Sequence, residues 1–529
     1  MIKSKISLLA FIFLFQLIAV AQKKEIVAYY PEWGPALRNY YVKNIETSGS
    51  ANKITVLNYA FVEPAPDSSG NIIAKFMNPY SDYQQVYSNS LSIDGVADDS
   101  TQLLRGQFNQ LRKLKALHPH LKIVISLGGW TGSKWFSDAA LTPQAREKFV
   151  DDCLNKFIYG NLPTSNNAGG NGIAAGLFDG FDIDWEFPIV GGDDGIHHNK
   201  NDRDNLSELL KLFRNKLDAL KPGFLLTAAI PARGGDLYKF NLSGDQKNMD
   251  WYNIMTYDFH GSWDDKSDHH TNLFSPPGDT IFPGIKESFA GSVRYLIDTV
   301  GVIPQKIVPG AAFYGKGWKV TNTTNHGLYQ QGSMAKGISD PGSNDYKTLA
   351  YLINHGYEYN WDKDAMAPYL FSSKDSTFWT FDDQVSVALK ERFAYSHNLR
   401  GLMFWEISGD DSVGTLVNTI YTGNMPDIKK HRTKLGSKYP LISLTILSGS
   451  KVIHAGSDIL LNINELKVDY PLVKVEYFAD NKSIGYNTKT PFSWVWFNAP
   501  KGKHKLTALA IDSEGNKKLS KKVSVIIRK

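Results

Sequence analysis

A single cysteine, Cys153, stands in 529 residues, so no disulfide can form within the chain. Its neighbourhood, Arg146–Asn155, has helical spacing that puts Phe149, Cys153 and Phe157 on one face, which makes the thiol a small core residue rather than a reactive group. There is no internal repeat of 20–50 residues and no low-complexity tract, which excludes solenoids and disordered tails as the main architecture. Long apolar runs are also scarce. The only one, Leu8–Val20, follows Lys3 and Lys5, is broken by Gln16, and ends at Ala19-Val20-Ala21. That pattern predicts a secretory signal peptide over 1–21 and a secreted, extracellular protein, because the run is too short to span a membrane. No other segment has transmembrane length, so no integral membrane span is expected. Charge of one sign is not in large excess either. The net of +5 hides a division, since residues 439–529 carry 14 Lys and Arg against 7 Asp and Glu, a surplus of seven. The rest of the chain is therefore slightly acidic, which argues against nucleic acid as a partner.

What is present is a regular alternation. Short β-rich runs recur at Ile26–Tyr30, Ile54–Phe61, Lys122–Leu127, Phe178–Glu186, Phe224–Ile230, Trp251–Tyr257, Lys306–Phe313 and Arg400–Trp405. Amphipathic helical patterns separate them, as in Asp204–Leu220 with Leu206, Leu209, Leu210, Phe213 and Leu217 on one face. Eight strands alternating with helices predict an α/β chain folded as a (β/α)8 TIM barrel over residues 22–423. The stretch before the eighth strand is too long for a simple crossover, and a small α+β insertion is expected between strands 7 and 8, over about 318–396. Gly- and Asn-rich Thr164–Gly172 reads as a surface loop. Residues 424–438 are polar and basic and read as a linker. Beyond them, short alternating runs from Leu441 to Ile527 predict an immunoglobulin-like β-sandwich over 439–529. Phe492, Trp494 and Trp496 share one strand face there and are expected to fill its core.

The chemistry concentrates in Phe178–Pro188. Side chains alternate along a strand, so Asp182, Asp184 and Glu186 project to one face while Phe181, Ile183, Trp185 and Phe187 project to the other. Acids crowded on the inward face of a barrel are costly to bury as charges, so at least one should hold a proton at neutral pH. Glu186 falls at the C-terminal end of its strand, where barrel enzymes carry their active sites. A calcium loop would interleave its ligands with polar and Gly positions rather than aromatics. Asp179 has the opposite parity and reads as a supporting residue. His197-His198 and His269-His270 are adjacent pairs without further ligand spacing, so no metal is expected. No glycine-rich phosphate loop follows a strand, and no cofactor is expected.

This stretch resembles the signature of the family 18 glycoside hydrolases, with Asp179, Asp182, Asp184 and Glu186 at its acidic positions. Other blocks agree in order: Tyr29-Tyr30-Pro31-Glu32-Trp33, Asn58-Tyr59-Ala60-Phe61, Ser126-Leu127-Gly128-Gly129-Trp130, Met255-Thr256-Tyr257-Asp258, Tyr314-Gly315-Lys316-Gly317-Trp318 and Met403-Phe404-Trp405-Glu406. Ala367-Pro368-Tyr369 and Thr380-Phe381-Asp382-Asp383 resemble the insertion of deep-cleft bacterial chitinases. The resemblance implies a chitinase hydrolysing β-1,4 bonds between N-acetylglucosamine units, endo-acting and retaining through the substrate's own acetamido group, with chitin and chitooligosaccharides as its partners and a monomeric state. It implies Glu186 as general acid and base, Asp184 bracing the acetamido group, Asp182 sharing the proton of Asp184, and Tyr257 bonding the acetamido carbonyl. Trp405 would floor the −1 subsite, with Met255 and Asp258 lining it. Tyr30, Trp33, Trp130, Trp263 and Lys316 would contact substrate, although a lone Trp serves equally well as core and Lys316 replaces an Arg common in relatives. Two other readings remain, an endo-β-N-acetylglucosaminidase on N-glycans and a chitin-binding lectin. The insertion favours the polymer over the first, and the retained Glu186 opposes the second.

Overall fold

A computed structural model describes residues 24–276, 287–338, 340–353, 355–424, 441–447, 453–457, 459–467, 472–488, 492–512 and 515–528. The expected signal peptide over 1–21 and nearly all of the expected linker over 424–438 lie outside the described residues.

All eight expected barrel strands form: β1 (Glu25–Pro31), β2 (Val56–Pro66), β3 (Lys122–Gly128), β4 (Gly180–Asp184), β5 (Leu225–Pro231), β6 (Trp251–Met255), β7 (Ile307–Ala312) and β8 (Gly401–Trp405). Each is parallel to the next, and β8 returns to β1 through Ile26 opposite Leu402 and Ala28 opposite Phe404, so the sheet closes. Closure leaves two apolar surfaces. Outward-facing Ala28, Leu57, Ile125, Phe181, Ile183 and Phe404 pack against the helices, while Val27, Val56, Val124, Trp251, Val308 and Met403 fill the lumen. The helix Asp202–Leu220 shows why its sequence folds so. Leu206, Leu209, Leu210, Phe213 and Leu217 are buried on one stripe, and Asp202 and Asp204 sit in the first turn, where negative charge suits the helix dipole. Cys153 is buried with Phe149 and Phe157, as its spacing predicts.

Between β7 and β8 the chain builds an antiparallel sheet in the order Gly332–Met334, Tyr314–Val320, Thr377–Phe381, Ala367–Ser372, Glu358–Asp362. It begins at Tyr314, earlier than the expected 318, because the Tyr314–Trp318 block pairs directly with Thr377–Phe381 instead of ending the barrel strand. The helix Gln384–Ser396 that closes the expected insertion packs back on β7 and β8 as the barrel's own crossover. A second difference is Leu162–Ser165 with Ala168–Gly170, a small hairpin where a loop was expected. Asn166 and Asn167 turn it with φ of 52° and 56°, a conformation Asn tolerates better than most residues.

The described residues between 441 and 528 form two further sheets, one of three strands and one of six. Their inward residues, among them Leu444, Leu461, Val475, Tyr477, Leu506 and Ala508, share one buried cluster with Phe492 and Trp496, and Trp494 packs at its edge. Asp480 and Asn481, at φ 50° and 66°, turn a tight hairpin from Leu472–Ala479 into Lys482–Asn487, a strand that the apolar pattern does not reveal. Among the described residues no helix is long and apolar enough to cross a membrane.

Candidate active site

The alternation in β4 places Asp182 and Asp184 in the lumen, one above the other, and carries the chain to Glu186 at the C-terminal rim. Asp182 is fully buried and fully bonded. Its Oδ2 accepts from the Tyr29 hydroxyl at 2.8 Å and the Ser126 hydroxyl at 2.9 Å, and its Oδ1 from Thr227 at 2.6 Å and Asn253 Nδ2 at 3.1 Å. Burial pushes its carboxyl up, and these four donors from β1, β3, β5 and β6 oppose that push.

Asp184, 4% exposed, is bonded differently: its Oδ1 is buried without a hydrogen-bond partner. Burial pushes its carboxyl well above the ordinary range, and the charges of Glu186 and Asp182 push the same way. Glu186 is pushed up to about 8, first by burial and then by Asp258. The two acids therefore resist being charged together, and Glu186 at the rim holds a proton at neutral pH. The backbone around them is pinned by Ser133, whose hydroxyl donates to Gly129 O at 2.8 Å or Asp184 O at 3.1 Å and accepts from Glu186 N at 2.9 Å. Gly128 makes the approach possible. It has φ of +107°, and a Cβ there would stand 2.1 Å from the Asp184 carbonyl oxygen.

The turn after β6 brings Tyr257 and Asp258 alongside. Tyr257 is buried, its hydroxyl meets Met403 Sδ at 3.7 Å, and its ring lies against Gly310, where a Cβ would come within 2.6 Å of it. Asp258 is ringed by Lys316 Nζ and His270 Nδ1, each 3.6 Å from Oδ1. Burial alone would raise its carboxyl, but Lys316, His270 and Tyr314 outweigh that and hold it well below the usual range. Lys316 also lies over the rings of Trp263, at 5.4 Å, and Tyr314, at 5.2 Å. The single ammonium thus meets one carboxylate and two ring faces, a contact that needs charge but not a planar fork.

Trp405 ends β8 half-buried, with Phe61 stacked behind it at 5.6 Å and 16°, Tyr29 at 5.6 Å and Trp33 at 6.2 Å. Met255 ends β6 and is partly exposed. Trp130 and Trp263 are 50% and 55% exposed, too open to be core, and follow β3 and β6 at the same end of the barrel. The structure therefore brings Asp182, Asp184, Glu186, Tyr257, Met255, Asp258, Lys316, Trp405, Trp33, Trp130 and Trp263 to the barrel lumen or its C-terminal rim. Tyr30 does not join them, which corrects the expectation of a substrate contact there. Its parity turns it outward, fully buried, with its ring against Tyr40 and Tyr59 and its hydroxyl on Tyr40 O. The inward position belongs to Tyr29. Ser126, Thr227, Asn253, Ser133, Phe61 and His270 also line or brace the site without having been given a role in it from sequence. Strand parity marks the first three, but no spacing marks the others.

Asp179 caps the other end of the barrel, pairing with Lys115 at 2.6 Å and Lys122 at 3.3 Å. Among the described residues no group of three or more His, Cys, Asp or Glu is arranged to hold a metal ion. His197 instead pairs with Asp138 at 2.8 Å, and His269 with Asp362 at 3.2 Å.

The fold and the site are thus a closed parallel barrel with Asp182 and Asp184 stacked in its lumen, Glu186 above them, and Trp405, Trp130 and Trp263 at the C-terminal rim. The chain belongs to the glycosyl hydrolases family 18, whose model matches residues 25–410. It is 33% identical over 421 residues to Chitinase A1 of Niallia circulans, covering 74% of this chain and 57% of that relative. It therefore spans little more than half of that relative's length. The catalytic domain of the psychrophilic chitinase B from Arthrobacter TAD20 superposes with a TM-score of 0.69 at 31% identity, over 76% of this chain and 95% of the other. A chitinase from Bacillus thuringiensis superposes with a TM-score of 0.64 at 27% identity, over 96% of this chain and 85% of the other.

Proposed function

We propose that this protein is a chitinase that cuts β-1,4 bonds between N-acetylglucosamine units, endo-acting and with retention of configuration, the substrate's acetamido group serving as nucleophile. Membership of the family and the chitinase names of its relatives support the substrate class. The observation that carries the mechanism is the unpartnered Oδ1 of buried Asp184, beside Glu186 and near the Tyr257 hydroxyl, which makes only a weak contact with Met403 Sδ. The remaining acid that faces Glu186 is Asp258, and it is engaged by Lys316 and His270, so no separate carboxylate is left to attack.

In the first step Glu186 gives its proton to the glycosidic oxygen as the C1–O bond breaks, and the acetamido oxygen of the −1 sugar closes on C1. Asp184 accepts a hydrogen bond from the acetamido N–H and stabilises the positive charge that develops there, while the Tyr257 hydroxyl holds the oxygen. In the second step Glu186, now a carboxylate, takes a proton from water. That water adds to C1, and the ring reopens. Trp405 supplies the apolar floor throughout.

The same reading takes the apolar run Leu8–Val20 as an export signal and residues 439–529 as an immunoglobulin-like module appended to a secreted enzyme. Proton NMR of the first product released from a chitin oligomer tests the mechanism. The β-anomer is expected, whereas an initial α-anomer would overturn substrate-assisted retention. Products from chitin oligomers of defined length, compared with an N-glycopeptide, separate the polymer reading from an N-glycan one.

A further inference from the structure

An ion pair outside the catalytic constellation is buried completely. Lys390, on the helix Gln384–Ser396, and Asp382, just after the last insertion strand, are both 0% exposed, with Lys390 Nζ 2.5 Å from Asp382 Oδ2. A desolvated pair is a poor source of stability compared with apolar packing, so its placement needs a reason. Its partners supply one. The same Asp382 Oδ2 accepts from Ala312 N at the end of β7, at 3.0 Å, and lies 3.0 Å from the Thr271 hydroxyl, while Oδ1 accepts from Ser386 at 2.7 Å. Lys390 donates to Thr271 Oγ1 at 2.6 Å. Thr271 Oγ1 lies 3.3 Å from the carbonyl of Thr256, which in turn fastens the turn to β7 through Gly310 N and O at 2.8 and 2.7 Å.

These contacts hold both sides of the Asp258 cage. Thr271 carries His270 beside it, and His270 O accepts from Phe259 N at 3.1 Å. Ala312 leads two residues on to Tyr314, whose ring is 5.1 Å from that of His270 and 6.0 Å from that of Tyr257. We propose that the buried Asp382–Lys390 pair is a positioning device that ties the turn after β6 to the end of β7, and so fixes His270 and Tyr314 around Asp258 and Tyr257. Neither residue touches the reacting atoms. The pair acts through the cage, whose Asp258 and Tyr314 face Glu186 and Tyr257.

The groups facing Asp258 are Lys316 and Tyr314 from the insertion, His270 from the loop after β6, Tyr257 on its own turn and Glu186 just beyond β4. The inference rests on the chitinase reading only for its choice of substrate. Removing one partner would strand a buried charge and can unfold the barrel, so the test is the full-chain double variant Asp382→Leu/Lys390→Met, which removes both charges at similar volume. Its melting temperature and far-ultraviolet spectrum establish that it is folded, and Lys390→Arg with Asp382 retained serves as the second variant. The expected result in the folded double variant is a loss of kcat of about tenfold or more on chitin oligomers with KM nearly unchanged. A displaced alkaline limb of the pH profile should accompany it, with Lys390→Arg recovering part of both. Carboxyl-labelled glutamate followed by carbon NMR, with the Glu186 signal assigned from Glu186→Gln, reads the cage directly and without any substrate. Its midpoint should move by more than ~0.5 pH unit. A folded double variant with the wild-type midpoint and wild-type kcat would overturn the proposal. Wild-type protein inactive on the oligomers would overturn the chitinase reading alone, and the NMR midpoint would still decide this one.

Discussion

Two strands of this molecule share a period and reverse its polarity. In β4 the apolar Phe181 and Ile183 face the helices, and the acids Asp182 and Asp184 face the closed lumen. In Leu472–Ala479 the apolar Val475 and Tyr477 face the buried cluster, while Lys474 and Glu476 pair at 3.0 Å on the open side of the sheet. A strand with solvent on one side places its charges there at little cost. A strand in a closed barrel has no such side, so whatever its inner face carries must be paid for by neighbours. Asp182 meets that demand with four donors, and Asp184 leaves one oxygen unmet. The difference teaches that a closed barrel must bond or protonate the acids of β4, whereas an open sheet leaves the charges of Leu472–Ala479 in contact with water.

The sharpest way to break this contrast is Glu186→Gln, which keeps shape and removes the transferable proton. Turnover of chitin oligomers should fall at least ~100-fold while oligomer binding by calorimetry survives; an active variant would put the acid elsewhere. Next comes Asp182→Asn, which turns an amide N–H₂ toward groups that already donate. It should cost on the order of 1–3 kcal/mol in denaturant unfolding and lower turnover as well. Unchanged stability would mean that the four-donor cradle is not matched to a carboxylate.

A third test uses pH. Glu186 titrates at about 8 in the folded protein, against ~4.3 in an unfolded chain. The folded state therefore binds more protons between those limits, so this group's contribution to stability is present at low pH and declines as pH rises through that window. Melting curves from pH 5 to 8.5 should show a decline that Glu186→Gln flattens, and kcat should drop above about pH 8 as the acid loses its proton. The smallest effect belongs to the other strand. Glu476→Gln should change unfolding free energy by no more than ~0.5 kcal/mol, because its pairing with Lys474 lies on the open face of the sheet, where both side chains keep contact with water. A large loss there would erase the distinction between the two strands.

Much of the barrel is legible in the sequence because local period and tertiary need coincide. All eight expected strands form within a few residues of their expected bounds, since β-branched runs between amphipathic helices leave little choice of pairing. Glu186, Asp184 and Tyr257 are legible because their blocks are contiguous and lie at strand ends. The hairpin at Leu162–Gly170 and the strand Lys482–Asn487 are not, because each is set by a turn at positive φ rather than by an apolar pattern.

The sequence by itself determined which residues alternate, where the acids fall on that alternation, and the family to which the chain belongs. Only the tertiary structure decided which of Tyr29 and Tyr30 faces the lumen, because a single strand has two equivalent faces until its neighbours close a barrel around one of them. It also decided that Asp182 is satisfied and Asp184 is not, that Lys316 and His270 hold Asp258, and that Lys390 reaches Asp382 and Thr271. Each of these depends on groups from separate strands and loops meeting at distances of a few ångströms, and no local spacing along the chain encodes such a meeting.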